Sequence, residues 1–514
     1  MAGNFQAAST PLRLWCSDSI GSPTMTPDTI STSSLPANAA SSRPDDIPLV
    51  VDLDGTLIRT DLLYESYFSS MTGGVGHHCS VIASLLRGKA QIKAYLSTVS
   101  AIDYTTLPYN ADVLELIRTA KGQGKKVYLA TASDRSHADK VAEHVGLFDG
   151  VFASDGVNNL TGRAKAIVLV EAFGEGGFDY VGDRGADIPI WAHARKAFVV
   201  SNSGRLAQRA QSLKVSVEVL PKPPVTLKTW RKALRVHQYA KNALVFVALL
   251  TAHAYSPHAF LSALAAFAAF SLCASSVYLL NDLVDLADDR KHPTKRNRPF
   301  ASGTIPLAYA VLVIPVLLAS AFAIALLVSL PLTATLAAYF LLTLTYSFSF
   351  KRKLIVDIVT LASLYTVRVI AGAIAIAVTP SEWLLAFSML IFTCLALVKR
   401  YIELAMRIDK ELPDPTSRNY RLVDLPIVGA LAAASGLNAV TIFALYVSSF
   451  AVQGLYRRPE MLWLICPVLL YWLSRIVVLA HRRAIDDDPI IFAIRDRNSL
   501  VCGVCMFAIV LAAS

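Results

Sequence analysis

Polar and apolar positions alternate along this chain in two different rhythms. In the first half, short apolar runs end in acids or hydroxyls. Ile47–Val51 leads into Asp52 and Asp54, KKVYLATAS ends at Thr131 and Ser133, and FDYVGDRGADIPIW reaches Asp183 and Asp187. Such runs read as strands of a parallel sheet buried on both faces, which delivers polar residues to its carboxyl edge. Between them, Ala111–Lys121 and His137–His144 carry amphipathic helical patterns. Similar patterns around Leu62–Ser69 and Ser80–Ser97 predict a small helical cap between the first two strands. His77 and His78 in that cap lack companion ligands and read as surface residues. From residue 242 the rhythm changes to long apolar runs at 242–255, 258–280, 307–329, 332–350, 355–378, 381–398, 425–449, 460–480 and 498–513. They predict about nine transmembrane helices, the first and last of them short.

The expected organisation is therefore multidomain. Residues 1–46, rich in Ser, Thr, Ala and Pro, read as a disordered tail. Residues 47–220 read as a Rossmann-like α/β domain, 221–241 as a linker and amphipathic juxtamembrane segment, and 242–514 as an all-α polytopic membrane domain. PLRLWC is too short for the apolar core of a signal peptide, so the tail reads as a linker or lies upstream of an alternative start at Met25. The seven cysteines show no paired spacing and read as free thiols.

Charge orients the chain. The net charge is +10, and its placement matters more than its size. Lys and Arg crowd the segment before the first run and the loops after the second, fourth, sixth and eighth, whereas the other loops hold little besides Arg457 and Arg458. This asymmetry predicts an integral protein of the cytoplasmic (inner) membrane with its N-terminal domain in the cytosol. The basic residues line a membrane edge, so membrane lipid is the expected partner and nucleic acid is not.

The first half resembles the haloacid dehalogenase-type phosphohydrolases. The likeness spans about residues 47–220 and rests on DxDGT at Asp52–Thr56, the hydroxyl of Thr131, Lys165, and GDxxxD at Gly182–Asp187. It implies Asp52 as a nucleophile that forms an aspartyl-phosphate and Asp54 as general acid and base. Thr131 and Lys165 would hold phosphate oxygens. Mg²⁺ would sit on Asp52, Asp183 and the Asp54 carbonyl, with Asp187 as a weaker candidate. Carboxylate attack on phosphorus needs the phosphate charge neutralised, which the metal and a lysine supply.

The second half carries its chemistry after the second long run, in YLLNDLVDLADDRKHPTKRNRPFASG, Tyr278–Gly303. Asp282, Asp285 and Asp289 fall within roughly 60° of one another on a helix, an arrangement that repels unless a cation sits among the acids. Mg²⁺ bridging a diphosphate suits them. The NDxxDxxxD pattern at Asn281–Asp289, the span count and the cytosolic N-terminus resemble the UbiA superfamily of intramembrane prenyltransferases, over about residues 225–514. RVHQYAKN, ADDRKHPTKRNRPFASG, YSFSFK, YTVRVIAG, VKRYIEL and IRDR are similar to its decaprenyl-phosphate phosphoribosyltransferase branch.

That resemblance implies attack of a polyprenyl phosphate on phosphoribosyl diphosphate, with Mg²⁺ on Asp282, Asp285 and Asp289. Lys241, Lys295, Arg296 and Arg298 would hold phosphates, with Asn242, Asn281, Tyr346, Lys351, Tyr365, Arg368, Lys399, Arg400 and Glu403 as further contacts. Arg368 stands out because it lies in mid-span, where a charge is costly and by default functional; a structural pair with Asp357 or Asp285 is the alternative. A second acidic motif of DxxxD form is absent, and Asp357, Glu403 and Asp486–Asp488 are its nearest substitutes. A phosphatase tethered through about 221–228 would gain effective concentration without any new contact and remove the 5-phosphate, toward a lipid-linked ribose or arabinose donor. An aromatic-ring prenyltransferase and, from another class, a transporter are the competing readings.

Overall fold

The computed structural model describes residues 47–70, 102–155, 159–213, 215–415, 418–449, 452, 454–485 and 488–514. The expected tail 1–46, His77, His78, the 80–97 helix, Asp486 and Asp487 lie outside the described residues.

The N-terminal half is a six-stranded sheet of order β3-β2-β1-β4-β5-β6, every adjacent pair parallel. Its strands are β1 (Leu49–Val51), β2 (Val127–Asp134), β3 (Gly150–Ser154), β4 (Asp179–Gly182), β5 (Lys196–Val200) and β6 (Ser216–Leu220). β1 and β4 are buried along their whole length, as continuous apolar runs require. Helices α1 (Leu62–Ser70), α2 (Ala111–Gly122), α3 (Arg135–Val145), α4 (Arg163–Phe173) and α5 (Gly204–Gln211) complete this doubly wound unit. Shorter helical turns are named below by their residues. Strand order reverses between β1 and β4, so a crevice opens beyond their carboxyl ends. Asp52 follows β1 and Asp183 follows β4, which brings both acids to that crevice.

The second half is helical: α6 (Pro257–Val284), α7 (Leu307–Val328), α8 (Leu330–Phe348), α9 (Val356–Ala375), α10 (Glu382–Asp409), α11 (Leu425–Val447) and α12 (Ile465–His481) are long and apolar enough to cross a membrane. A pair bent by 79°, α13 (Pro489–Arg495) and α14 (Arg497–Ala513), brings the count among the described residues to as many as eight. α6 and α9 are the central helices, each with 61% of its apolar window buried, against 11% for α7. The buried positions of α6 are mostly Ala, Ser and Cys, small residues that let helix backbones approach closely in an apolar medium.

The expected first span at 242–255 is not one of these helices. Val236–Phe246 is a 3-10 helix, and only Val247–Thr251 is α-helical. The segment nevertheless runs from one end of the bundle to the other. At its start Arg235 is ion-paired with Asp282, near the carboxyl end of α6. At its finish Thr251 and Ala252 share a cavity with Val378 and Tyr456 at the opposite end. A 3-10 helix rises about 2.0 Å per residue, so these sixteen residues reach about 30 Å where an α-helix of equal length would reach about 24 Å. The apolar run was legible as a crossing, but its tighter winding was not.

Close backbone packing accompanies this segment. A Cβ on Gly372 of α9 would lie 2.0 Å from the Val245 carbonyl oxygen, and backbone cannot swing aside as a side chain can. Gly372→Ala is therefore expected to destabilise the membrane domain by about 1–3 kcal/mol, the usual cost of overpacking. Thermal unfolding in detergent checks this; an unchanged midpoint would contradict the packing described here.

Candidate active sites

Three sheet-edge elements build the first site. Asp52 leaves β1 with its carboxylate accepting from Lys165 Nζ at 2.7 Å. Lys165, in the first turn of α4, is buried and also donates to the Ala130 carbonyl at 3.0 Å and the Tyr180 hydroxyl at 3.1 Å. The Tyr180 hydroxyl donates onward to Asp187 at 3.2 Å. Asp54 accepts the Leu62 N–H at 2.8 Å and the Ser133 hydroxyl at 2.5 Å, with Thr131 Oγ1 at 3.5 Å. Desolvation, then the neighbouring Asp61 charge, push the Asp54 carboxyl up to about 7. A carboxylic acid in that range can give a proton and take it back near neutrality.

Asp52, Asp183 and Asp187 each offer an oxygen to one point, with the three ligand atoms within 4.8 Å of one another. This hard all-oxygen set fits Mg²⁺. Desolvation followed by the Asp52 charge raises Asp187 to about 7, and desolvation raises Asp183 as well. Such mutual repulsion is what a divalent cation relieves. Asp54 was expected to reach the metal through its carbonyl; here its side chain is held by Ser133 and Leu62, and its carbonyl accepts from Arg184 at 3.2 Å. Asp187, the weaker candidate in sequence, lies with Asp52 and Asp183 in the acidic group. Lys222, from the segment after β6, donates to Asp183 at 3.0 Å and to the Gly55 carbonyl at 3.2 Å. Sequence spacing gave no signal for Lys222 or for Ser133's grip on Asp54.

The second site lies at the end of the bundle where α6, α8 and α10 finish and α9 begins. α6 stops at Val284, Asp285 caps it, and a short turn Leu286–Lys291 continues the chain. Backbone register carries through the break: the Asp285 N–H donates to the Asn281 carbonyl at 2.9 Å and the Asp289 N–H to the Asp285 carbonyl at 2.8 Å. Buried Asp282 and Asp289 are both bound by Arg298, at 3.1 and 2.5 Å, and Arg235 also binds Asp282. Asp285 is more exposed and faces Lys351 at 3.6 Å. Arg298 thus bridges Asp282 and Asp289 in a carboxylate–arginine clamp. The all-oxygen acids of this group suit Mg²⁺.

A similar clamp lies nearby. Fully buried Asp357 accepts from Arg400 at 2.8 Å, from Tyr420 at 2.7 Å and from Arg418 at 3.5 Å; Arg400 also binds Glu403. Two of the substitutes for a second acidic motif, Asp357 and Glu403, converge in space on Arg400 although no sequence spacing relates them. Lys241 and Lys399 converge on Asp488 at 2.6 and 3.3 Å.

Arg368, expected as a phosphate contact, is buried among neutral partners. It donates to Asn242 at 2.7 Å, to the Tyr339 hydroxyl at 2.8 Å and to the Leu364 carbonyl, and it pairs with neither Asp357 nor Asp285. Asn242 is thereby a structural partner too, donating to Ser271 at 3.0 Å. Tyr365 stacks on Phe392, and Tyr346 accepts from Arg418 at 3.3 Å. Lys295 and Arg296 are exposed, with no side-chain partner among the described residues, and Asn281 is half-buried beside the clamp. Arg235, Arg418 and Tyr420 were missed as site residues. Arg235 had one legible signal, its place in the basic cluster before the first crossing. Its left-handed backbone, φ 52°, marks it in the structure as held in a costly conformation.

The sequence profile of the UbiA prenyltransferase family matches residues 243–500. The chain belongs to the UbiA prenyltransferase family. Within reach of this UbiA chain is an uncharacterized protein of Sinorhizobium fredii, 36% identical over 89% of both chains, so the likeness runs through both halves. The decaprenyl-phosphate phosphoribosyltransferase of Mycobacterium tuberculosis is 37% identical over 41% of this chain and 73% of that protein. A solved substrate-bound phosphoserine phosphatase is 16% identical over 34% of this chain and 93% of that one, with a TM-score of 0.25.

The metal group in the α/β half of this UbiA protein is directly testable. Asp183→Asn is expected to weaken Mn²⁺ binding by more than roughly tenfold, read as free Mn²⁺ by electron paramagnetic resonance. Unchanged affinity would remove Asp183 from the metal group.

Proposed function

We propose that the membrane half transfers 5-phosphoribosyl from phosphoribosyl diphosphate to a polyprenyl phosphate. The α/β half then removes the 5-phosphate, toward a lipid-linked ribose or arabinose donor. The observation that carries this reading is the density of basic groups at one end of the bundle: Arg235, Lys241, Arg298, Lys351, Lys399, Arg400 and Arg418 all lie against its carboxylates. Three phosphate-bearing groups must be held for this transfer, the diphosphate, the 5-phosphate and the lipid phosphate, more than prenylation of an aromatic ring requires. Likeness to the phosphoribosyltransferase supports the same choice.

In the transfer step, a lipid phosphate oxygen forms a bond to the anomeric carbon as the bond from that carbon to the diphosphate breaks. The nucleophile is already anionic, so no general base is needed. Arg298 and Arg235 exchange carboxylate for diphosphate oxygens and stabilise the charge that develops there; Lys241 and Lys399 face the lipid phosphate. Catalysis is then positioning and electrostatics. The acids of the clamp keep the guanidiniums aimed before substrate arrives.

In the hydrolytic step, Asp52 attacks phosphorus, the bond from phosphorus to the sugar 5-oxygen breaks, and Asp54 gives that oxygen its proton. Asp54 then takes a proton from water, whose oxygen attacks the phosphorus of the aspartyl-phosphate and frees inorganic phosphate with Asp52 restored. Lys165 holds Asp52 and the transferring phosphoryl group, and Thr131 is poised as a phosphate contact. A magnesium ion on Asp52, Asp183 and Asp187 would neutralise phosphate charge.

Two variants separate the steps. Asp52→Asn should leave ribosyl transfer intact while the 5-phosphorylated lipid accumulates. Asp282→Asn should lower transfer by at least roughly a hundredfold, as loss of a group that preorganises transition-state charge does. Mass spectrometry of extracted lipids reads both. Phosphate release persisting in Asp52→Asn, or transfer persisting in Asp282→Asn, would overturn the corresponding assignment.

A further inference from the structure

The two halves are docked, where the sequence predicted only a tether. α1 follows directly on the DxDGT loop, and its first residue, Leu62, donates its N–H to Asp54. The other end of α1 enters the membrane domain. Phe68 is buried in one cluster with Leu279 and Leu283 of α6, Leu286, Phe300 and Ile305, and Tyr64 and Tyr67 pack against it. Between the two ends, Glu65 receives both terminal nitrogens of Arg290, at 2.6 and 3.0 Å, and the Thr60 hydroxyl at 2.6 Å. Both members of this pair are nearly excluded from solvent, at 6% and 5% side-chain exposure. Arg290 also donates to the Ala301 carbonyl at 3.1 Å. Gly303 lies flat on Arg59: a Cβ there would come within 2.6 Å of the arginine Cβ. The exposed Lys291–Asp103 pair at 2.9 Å adds little by itself.

Sequence adjacency makes the contact more than a seam. Asp289 and Arg290 are consecutive, yet Asp289 turns inward to Arg298 in the transferase clamp while Arg290 turns outward to Glu65. α1 is nine residues long and touches the hydrolytic acid at one end and the transferase loop along its length. A buried, bidentate, charge-assisted pair is strongly directional, and stripping one partner strands the other charge. No part of either proposed reaction needs Arg290 or Glu65 chemically.

We infer that α1, clamped by Glu65–Arg290, is a docking strut that presents the hydrolytic site to the lipid-linked phosphoribose made at the same end of the bundle, so that product passes between the sites without release. Arg290 and Glu65 are positioning residues, and the ligand handed over is an amphipathic phosphomonoester. The inference rests on the two-step reading above.

The test uses the full chain in liposomes with labelled phosphoribosyl diphosphate and a polyprenyl phosphate, following both lipid products through the first turnovers. Hydrolysis of 4-nitrophenyl phosphate serves as a reading of the α/β site alone. Wild type is expected to form dephosphorylated lipid without a lag. Arg290→Met and Glu65→Gln are each expected to let the 5-phosphorylated lipid build up on the order of tenfold, with transfer and 4-nitrophenyl phosphate hydrolysis unchanged, because hand-over falls back on tethering alone. The paired exchange Glu65→Arg with Arg290→Glu is expected to restore the wild-type course, a rescue that loss of folding would not permit. No accumulation in either single variant, or accumulation matched by equal loss of 4-nitrophenyl phosphate hydrolysis, would overturn the strut. Failure of the wild type to make dephosphorylated lipid would instead overturn the two-step reading, and the strut with it.

Discussion

A charge taken out of water must meet a partner, and in an apolar bundle that demand decides where chemistry can be placed. Here the ionic groups gather at one end. Asp357 with Arg400, Asp282 with Arg235 and Arg298, and Lys241 with Asp488 are all buried or half-buried pairs there. The opposite end holds a cavity of about 380 Å³ lined by apolar and aromatic residues such as Trp383, Phe387 and Phe443. On the proposed reading, substrates carrying several phosphates meet the first end and not the second. Without a ligand, the carboxylates satisfy the arginines, so an anionic substrate exchanges one partner for another and never meets bare charge. Among the described residues the buried Nε of Arg400 has no hydrogen-bond partner, a further donor at the same end.

The α/β half obeys the same rule in a wetter setting. Lys165, Lys222 and Arg184 lie among Asp52, Asp54 and Asp183, and the strand order that reverses beside β1 gathers them at one edge. Its cap helix then serves the membrane domain as well. Phe68 and Tyr64 turn toward α6 because the seam, among the described residues, is apolar around the buried Glu65–Arg290 pair. The two centres are therefore parts of one compact body, and the linker has no need to hold them in register.

How much of this was legible depended on whether a signal was local. Asp52, Asp54 and Asp183 could be placed at the crevice because each lies just beyond a buried strand, and Thr131 because it lies within one; period and position both survive in sequence. Asp282–Asp289 could be read as a cluster, but not as an arginine clamp: the break at Asp285 and the return of Arg298 are set by tertiary packing. Arg368 is legible as an isolated charge in an apolar run, but its neutral partners Asn242 and Tyr339 come from other segments and leave no local signal. Convergence of Asp357 with Glu403, and of Glu65 with Arg290, joins residues far apart in the chain, which no spacing rule anticipates. The 3-10 winding of 236–246 was hidden for a different reason. Its apolar pattern fits a helix of either pitch.

The central claim, that this bundle end is built for a phosphorylated sugar donor, is tested most directly by direct competition of substrates. Purified protein in liposomes would receive phosphoribosyl diphosphate with polyprenyl phosphate in one reaction and prenyl diphosphate with an aromatic acid in another, and lipid products would be weighed by mass spectrometry. The account predicts a pentose-phosphate adduct of the polyprenyl phosphate in the first and no new product in the second. A prenylated aromatic ring, with no pentose on the lipid, would contradict it.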